Sequence, residues 1–284
     1  MNSHDKKAEA KEQSGSQTTE NKVETNLKGV RHKIVIMSGK GGVGKSTVAV
    51  NLAVGLSMRG HSVGLLDADM HGPSVPKLLG MPSMPLEIID EKRIIPPIVP
   101  PSLKVMSIAF LLRDKYSPII WRGPLKMGAI KEFLEEVEWG SLDYLIVDLP
   151  PGTGDEPLSV IQLIPRPDGA IIVTTPQDVA LLSVRRSINF AKAMDLRILG
   201  MIQNMSGLKC PHCGENIDVF GDGGVAKAAA EMDVEFLGSL PLDPSISKEG
   251  DKGIPFVLAQ GNGAAKAFEC MIDRISSLLE KKKV

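Results

Sequence analysis

The sequence predicts an α/β fold with a mostly parallel, twisted sheet and helices on both of its faces. Seven short apolar runs follow one another along the chain, and most are continuous, which is typical of strands covered on both faces. Helical stretches lie between several of these runs, for example over Lys45–Met58 and 179–194, and such alternation favours parallel pairing. In folds of this kind ligands bind beyond the carboxyl ends of the strands. The predicted strands cover 33–38, 62–69, 104–111, 144–150, 169–175, 198–204 and 234–241.

Two shifts in composition define the predicted domain. Residues 1–26 are polar, rich in Lys, Glu, Ser and Thr, and lack apolar periodicity, so we predict a disordered tail there. Residues 82–101 hold six prolines, which exclude an uninterrupted helix or central strand. Because strand signals resume after this stretch, we interpret it as an irregular excursion within one domain that covers 27–284.

The overall composition excludes some classes of function. The chain of 284 residues is 43% apolar and 24% charged, with a net charge of −1, which gives no general electrostatic basis for binding nucleic acid. No apolar run approaches the ~18 residues of a membrane span. Three cysteines and the absence of a signal-peptide pattern favour a reducing compartment. We therefore expect a cytoplasmic protein that binds neither nucleic acid nor membranes.

The stretch "SGKGGVGKST" at 38–47 follows the first predicted strand and opens the first helix. It contains the pattern G-x-x-x-x-G-K-[ST], whose glycines let backbone N–H groups converge on phosphates at the positive end of a helix. We expect Lys45 to reach the β- and γ-phosphates of ATP, and Ser46 to ligate Mg²⁺. The predicted nucleotide-binding residues of this loop are Gly39, Lys40, Gly41, Gly42, Val43, Gly44, Lys45, Ser46 and Thr47.

Acidic residues end two of the later strands. Asp67 and Asp69 end the second predicted strand, and Asp148 follows the apolar run in "YLIVDLPPGTGD". The order and spacing of Asp148 after the phosphate loop are those of a Walker B carboxylate, which lies near Mg²⁺. The prolines and glycines at 150–154 are typical of a shaped loop that approaches a ligand closely.

The early lysine in "KGGVGK", Lys40, gives a more specific resemblance. The motif resembles the deviant Walker A (SIMIBI-like) P-loop NTPases, which include ParA- and MinD-like ATPases, the nitrogenase iron protein and iron–sulfur carrier ATPases. The resemblance implies a homodimer in which Lys40 reaches the nucleotide of the partner and neutralises developing phosphate charge. It also implies that Asp69 lies in a first switch and orients the attacking water, although the sequence leaves Asp67 open for that role.

Adenine recognition is implied by the same resemblance. It points to Asn204, in "IQNMSG", and to Pro241 and Asp243, in "LPLDP", as neighbours of the base. An asparagine amide can both donate to a purine edge and accept from it. Turn formation alone would also account for these residue types.

Two cysteines three positions apart, Cys210 and Cys213, lie in "GLKCPHCGEN", within a loop predicted at about 205–222. Soft thiolates suit iron–sulfur clusters or zinc, but such sites usually need four ligands. Four interpretations stay open: a [4Fe–4S] cluster shared by two chains, zinc or another metal in the same place, a redox dithiol, and a structural turn. The third cysteine, Cys270, is predicted to lie opposite the apolar stripe of the last helix, partly exposed and away from this loop.

Taken together, "GKGGVGKS", "DMHGPSVP", "DLPPGTGD" and "CPHCG" resemble the Mrp/ApbC family of iron–sulfur cluster carrier ATPases. The resemblance extends from about residue 30 to the last helix, but the N-terminal tail lacks the cysteines of one branch of that family. It implies slow ATP hydrolysis coupled to transfer of a [4Fe–4S] cluster, held at the dimer interface, from scaffold proteins to recipient apoproteins. The alternatives are a MinD/ParA-like positioning or partition ATPase, and a nitrogenase-like ATP-dependent reductase.

Overall fold

The computed structural model describes residues 22–81, 86–90, 92–111, 123–210, 212–221, 224–259 and 263–281. Its strands are β1 (Val30–Met37), β2 (Val63–Asp67), β3 (Glu87–Ile89), β4 (Arg93–Ile95), β5 (Ile98–Val99), β6 (Leu103–Ser107), β7 (Leu142–Asp148), β8 (Gly169–Thr174), β9 (Ile198–Gln203), β10 (Leu208–Lys209), β11 (Asn216–Ile217) and β12 (Phe236–Ser239). Eight of them form one sheet in the order β12-β9-β8-β1-β7-β2-β6-β5. All neighbours in this sheet are parallel except β5 and β6.

Helices cover this sheet. They are α1 (Lys45–Met58), α2 (Val75–Leu78), α3 (Gly123–Glu136), α4 (Asp155–Leu163), α5 (Asp178–Ala193), α6 (Gly224–Glu231), α7 (Pro244–Asp251) and α8 (Gly263–Glu280), with 3₁₀ turns at Leu27–Gly29, Ile108–Leu111 and Phe256–Leu258. Every residue of β2 and β8 is buried, which requires cover on both faces. The predicted fold class is therefore confirmed, and the first helix has the predicted bounds.

The proline-rich stretch is more regular than predicted. Within its described part, β3 and β4 form a hairpin, and β5 pairs antiparallel with β6 at the edge of the main sheet. Prolines flank the two residues of β5, and an edge strand tolerates them because only one of its sides needs hydrogen bonds. Residues 82–85 lie outside the described part of the chain.

The domain begins earlier than the predicted boundary at residue 27. Residues 22–26 form a helical turn, and the side chains of Val23 and Leu27 are buried in the core. The Asn26 amide donates to the carbonyls of Leu134 and Val137, both at 2.9 Å. Val23 and Leu27 are four residues apart and lie on one face of a helical turn. Two apolar residues among polar neighbours are too short a pattern to be recognised in the sequence. The rest of the predicted tail, 1–21, lies outside the described residues.

The last helix, α8, packs on β12 and on α1. Its apolar stripe is buried as predicted, and Cys270 is exposed on the other face. Within the described ranges, the chain has no helix that is long and apolar enough to cross a membrane.

Candidate functional site

The loop between β1 and α1 is shaped by close approaches that only glycine permits. Gly44 precedes α1 with φ 85°, a left-handed conformation that glycine adopts without strain. A Cβ on Gly39 would lie 2.6 Å from the carbonyl oxygen of Ser183 in α5. The loop is therefore pressed against α5 on one side, while its far end turns directly into α1, whose first N–H groups are free to face an anion.

Lys45 connects this loop to the strand ends. Its Nζ lies 2.7 Å from Oδ1 of Asp148 and 3.9 Å from Oδ2 of Asp69, and its side chain is only 6% exposed. Strands β2 and β7 are neighbours, so their acidic ends meet at this edge of the sheet. The phosphates of a nucleotide would compete with these carboxylates for the Lys45 ammonium.

Asp148 has the properties of a ligand for a hard cation. It is fully buried, and its Oδ2 has no hydrogen-bond partner among the described residues. Burial raises the pKa of Asp148, and the attraction of Lys45 opposes that rise. A carboxylate oxygen left without a partner fits a site in which Mg²⁺, carrying water molecules, is held by Asp148 and the hydroxyl of Ser46. Mg²⁺ in such a site would withdraw charge from the phosphates.

Asp67 is buried and forms hydrogen bonds that hold the loop after β2 in place. Its Oδ2 accepts from Ser107 Oγ at 3.0 Å and from the N–H of Val75 at 3.3 Å, and its Oδ1 accepts from the N–H of Asp69 at 3.2 Å. The pKa of Asp67 is raised to about 7, mainly by burial and secondly by repulsion from Asp148. These bonds fix the direction in which the chain leaves the strand.

Asp69 is the more accessible of the two aspartates. Its side chain is 13% exposed, and its Oδ1 accepts from the N–H groups of His71 and Gly72, both at 3.3 Å. Its second oxygen faces Lys45. Of the two candidates for orienting water, this geometry favours Asp69, because Asp67 is enclosed and already accepts three hydrogen bonds.

Lys40 extends from the loop toward α5 of its own chain. Its Nζ lies 3.0 Å from Oε1 of Gln177, at the start of that helix, and the residue is partly exposed. The predicted contact with the nucleotide of a partner therefore requires this bond to break.

The residues predicted near adenine have other contacts within the chain. Nδ2 of Asn204 donates to the carbonyl of Val43 at 2.9 Å, so the loop after β9 is tied to the phosphate loop. Oδ1 of Asp243 accepts from the N–H of Ser245 at 2.8 Å and caps α7. Pro241 lies two residues before that cap. Their role in binding a base stays a prediction.

The two cysteines lie between β10 and β11, which form a short hairpin. The N–H of Cys210 donates to the carbonyl of Glu215 at 2.8 Å, and the N–H of Gly214 donates to the carbonyl of Cys210 at 2.9 Å. Backbone N–H groups of Cys213 and His212 lower the pKa of the Cys210 thiol, which favours the thiolate that binds metals. Both thiols are free and accessible, and no group of three or more His, Cys, Asp or Glu side chains within the described part of the chain could hold a metal ion. The pair supplies two ligands.

Sequence reasoning missed one polar cluster beside the site. His71, Glu156 and Lys126 meet between the loops that follow β2 and β7. His71 lies within a stretch that the sequence singled out, and Glu156 directly follows another, but Lys126 lies in α3, outside every motif. A lone lysine in an amphipathic helix gives no sequence signal for such a contact.

The parallel sheet, the glycine loop between β1 and α1, and the aspartates at the ends of β2 and β7 define the chain as a P-loop NTPase of the deviant Walker A class. A family model described as "ParA: NUBPL iron-transfer P-loop NTPase" matches residues 29–276. The chain belongs to this family.

Relatives agree with this assignment. An iron-sulfur cluster carrier protein of Methanocaldococcus jannaschii is 51% identical over 262 residues, which cover 92% of this chain and 90% of that protein. A cytosolic Fe-S cluster assembly factor NUBP2 homolog of Dictyostelium discoideum is 47% identical over 242 residues, 84% of this chain and 91% of that protein.

Solved structures confirm the fold. A nucleotide-binding protein of Archaeoglobus fulgidus, in complex with ADP and with cobalt, is 41% identical with a TM-score of 0.73, over 82% of this chain and 91% of its own. The MinD cell division ATPase of Pyrococcus furiosus is similar in fold, with a TM-score of 0.61 at 23% identity, over 87% of this chain and 99% of its own.

Proposed function

We propose that this protein is an ATP-dependent iron–sulfur cluster carrier. Two copies hold one [4Fe–4S] cluster between them, each through Cys210 and Cys213, and transfer it to recipient apoproteins. The proposal rests on the hairpin of a P-loop NTPase that presents two accessible thiols outside any disulfide. The pKa of one of them, Cys210, is lowered. A cluster usually needs four cysteines, and a second copy supplies the other two. The names of the relatives support the same cargo.

In the nucleotide site, the phosphates of ATP replace Asp148 as the partner of Lys45. In the proposed cycle, ATP phosphates draw the Lys45 ammonium away from Asp148, which frees that carboxylate for Mg²⁺. Asp69 orients the attacking water, and Lys40 leaves Gln177 to reach the nucleotide of the partner. Hydrolysis is slow because the water-orienting and trans-acting groups must both be in place.

Coupling between nucleotide and cluster uses the loops that leave Asp69 and Asp148. The two aspartates from which these loops leave both face Lys45, which phosphate would draw away, so nucleotide occupancy biases the conformation of the loops and with it the geometry of the dimer. That geometry decides how firmly the bridging cluster is held, between loading from scaffold proteins and release to apoproteins. We place this cycle in the cytoplasm, as supported by the name of the Dictyostelium relative.

Anaerobic reconstitution tests the proposal. Wild-type protein and the Cys210→Ala/Cys213→Ala variant are loaded with iron and sulfide, with Cys270→Ala as the matched control. Wild type and the control should hold about one cluster per two chains, and the double variant none. An equal iron and sulfide content in the double variant would refute the carrier function.

Transfer is then measured separately. Wild-type protein loaded with cluster is mixed with an apo-ferredoxin, with and without ATP. A carrier delivers iron and sulfide together, whereas a nitrogenase-like reductase would pass electrons to an acceptor and keep its cluster.

A further inference from the structure

Three side chains form a polar cluster on the side of α3 that faces the two loops after β2 and β7. Nζ of Lys126 lies 2.9 Å from Nε2 of His71 and 3.3 Å from Oε1 of Glu156, and those two atoms are themselves 2.9 Å apart. His71 belongs to the first switch, the loop at 69–74, and Glu156 lies in the first turn of α4, directly after the second switch, the loop at 150–154. We call this cluster the switch clasp.

Burial distinguishes Lys126 from an ordinary surface lysine. The residue is 8% exposed, and among the described residues only Lys45 is another lysine buried to this degree. An ammonium removed from water is costly unless it keeps its hydrogen-bond acceptors. The side chain of His71 is 61% exposed and that of Glu156 is 41% exposed, so their mutual contact alone would contribute little. The clasp therefore depends on the buried ammonium.

Lys126 connects the first switch, and the first turn of α4 where the second switch ends, to a third element, α3. It lies in the first half of α3, and later residues of that helix, Ile130, Phe133 and Leu134, are fully buried in the core. An ammonium carries several N–H donors and can serve the imidazole nitrogen and the carboxylate together. When Nε2 of His71 accepts from Lys126 it carries no hydrogen, so its short contact with Glu156 is then not a hydrogen bond, and the ammonium holds the two acceptors together. Without Lys126, a protonated Nε2 could donate to Glu156 instead, but neither side chain would be tied to α3.

Apolar packing does not replace this tie. A cavity of about 190 Å³ lies between α3, α4 and the first switch, next to the clasp. Its walls include Met70, Met127, Ile130 and Val160. The side chains around this partly open cavity do not pack across it, so apolar contacts there do not hold the first switch against α3.

We propose that Lys126 is a positioning residue that holds both switches in register with each other. In the nucleotide-free protein the switches are tied at two points, by Lys45 between Asp69 and Asp148 and by Lys126 between His71 and Glu156. ATP removes the first tie, because it recruits Lys45. The second tie then keeps the first switch, and Asp69 within it, in place for hydrolysis. This inference rests on the proposed ATPase function.

The test compares Lys126→Met, Lys126→Arg, His71→Ala and the His71→Ala/Lys126→Met double variant with wild type. Lys131→Met is the matched control, since it makes the same change on another face of α3. Steady-state ATP turnover should fall about fivefold or more in Lys126→Met and in His71→Ala, with KM for ATP within about twofold of wild type. Lys126→Arg should recover most of the turnover, and the double variant should be no slower than the slower single variant, because both changes break one cluster.

Backbone hydrogen exchange without nucleotide tests the clasp independently of hydrolysis. Amides at 70–75 and 156–160 should exchange faster in Lys126→Met than in wild type or in Lys131→Met. Unchanged exchange together with unchanged turnover would overturn the inference, and so would single effects that multiply in the double variant. If wild type does not hydrolyse ATP but the exchange difference is present, the clasp stands and the proposed ATPase function fails.

Discussion

Asp67 gives a test of the electrostatics at the nucleotide edge of the sheet. Its carboxylate is fully buried beside Asp148, and its pKa in the folded chain is raised from 3.8 to about 7. Between about pH 4 and pH 7, Asp67 therefore holds a proton in the folded protein that it has already released in the unfolded chain. By linkage, stability falls as the pH rises from about 4 to about 7, and the full cost of about 4 kcal/mol is present above pH 7. Between pH 5 and pH 8 the loss is about 3 kcal/mol.

The substitution Asp67→Asn separates this charge from the hydrogen bonds. All three donors to Asp67 need an acceptor, and an amide offers only one oxygen. At least one N–H then faces the amide NH₂ group, which costs about 1–3 kcal/mol at every pH. The variant should be less stable than wild type at pH 5, where Asp67 is protonated. By pH 8 the gap should close or reverse, because wild type then carries the buried charge.

Urea unfolding of the nucleotide-free protein in EDTA, at pH 5, 6, 7 and 8, measures both curves. Titrating groups away from this edge of the sheet change both proteins alike, so the difference between the curves reports Asp67 together with Asp148, whose charge interacts with it. Parallel curves, with the same difference at pH 5 and pH 8, would show that Asp67 does not titrate in this range and would refute the reasoning.

Two further substitutions test the phosphate loop. Gly39→Ala places a Cβ 2.6 Å from a backbone oxygen of α5, so we expect about 1–3 kcal/mol of destabilisation in thermal unfolding. The control Gly41→Ala should be tolerated, because its Cβ would meet only Pro151, at 4.0 Å. Equal losses of stability in both variants would contradict this account. Asn204→Ala removes the bond to the Val43 carbonyl and should weaken ADP binding by about three- to tenfold in calorimetry, while unchanged affinity would show that this contact does not shape the site.

Much of the fold follows from local sequence patterns. Apolar runs mark β2, β8 and the carboxyl-terminal halves of β1 and β7, where both faces of the sheet are covered, and α1 follows a phosphate-loop pattern that fixes where it begins. The start of the domain and the edge strand β5 were harder to predict. Val23 packs against the core although its sequence neighbours are polar. A strand of two residues between prolines, such as β5, is too short to show a periodic pattern, and its pairing with β6 defines it.

In the candidate site, too, some residues could be predicted from local sequence patterns and others could not. Glycines, Lys45 and the strand-end aspartates lie where a motif at a strand end predicts them, since chain order and sheet order bring β2 and β7 together. The separate environments of Asp67 and Asp69 depend on Ser107 and on the turn after β2, which spacing alone does not reveal. Lys126 is the clearest case, because its burial depends on where α3 lies relative to the loop after β2 and to α4, which no local sequence pattern specifies.

Mixed dimers test the central claim, that each chain supplies half of a cluster site. Wild-type chains are co-expressed with Cys210→Ala/Cys213→Ala chains that carry a different affinity tag, the mixed dimers are isolated through both tags, and native mass spectrometry follows anaerobic reconstitution. The account predicts a [4Fe–4S] cluster in dimers of two wild-type chains and none in mixed dimers, which retain only two of the four thiolates. A cluster in the mixed dimers, or one bound to a single wild-type chain, would contradict it.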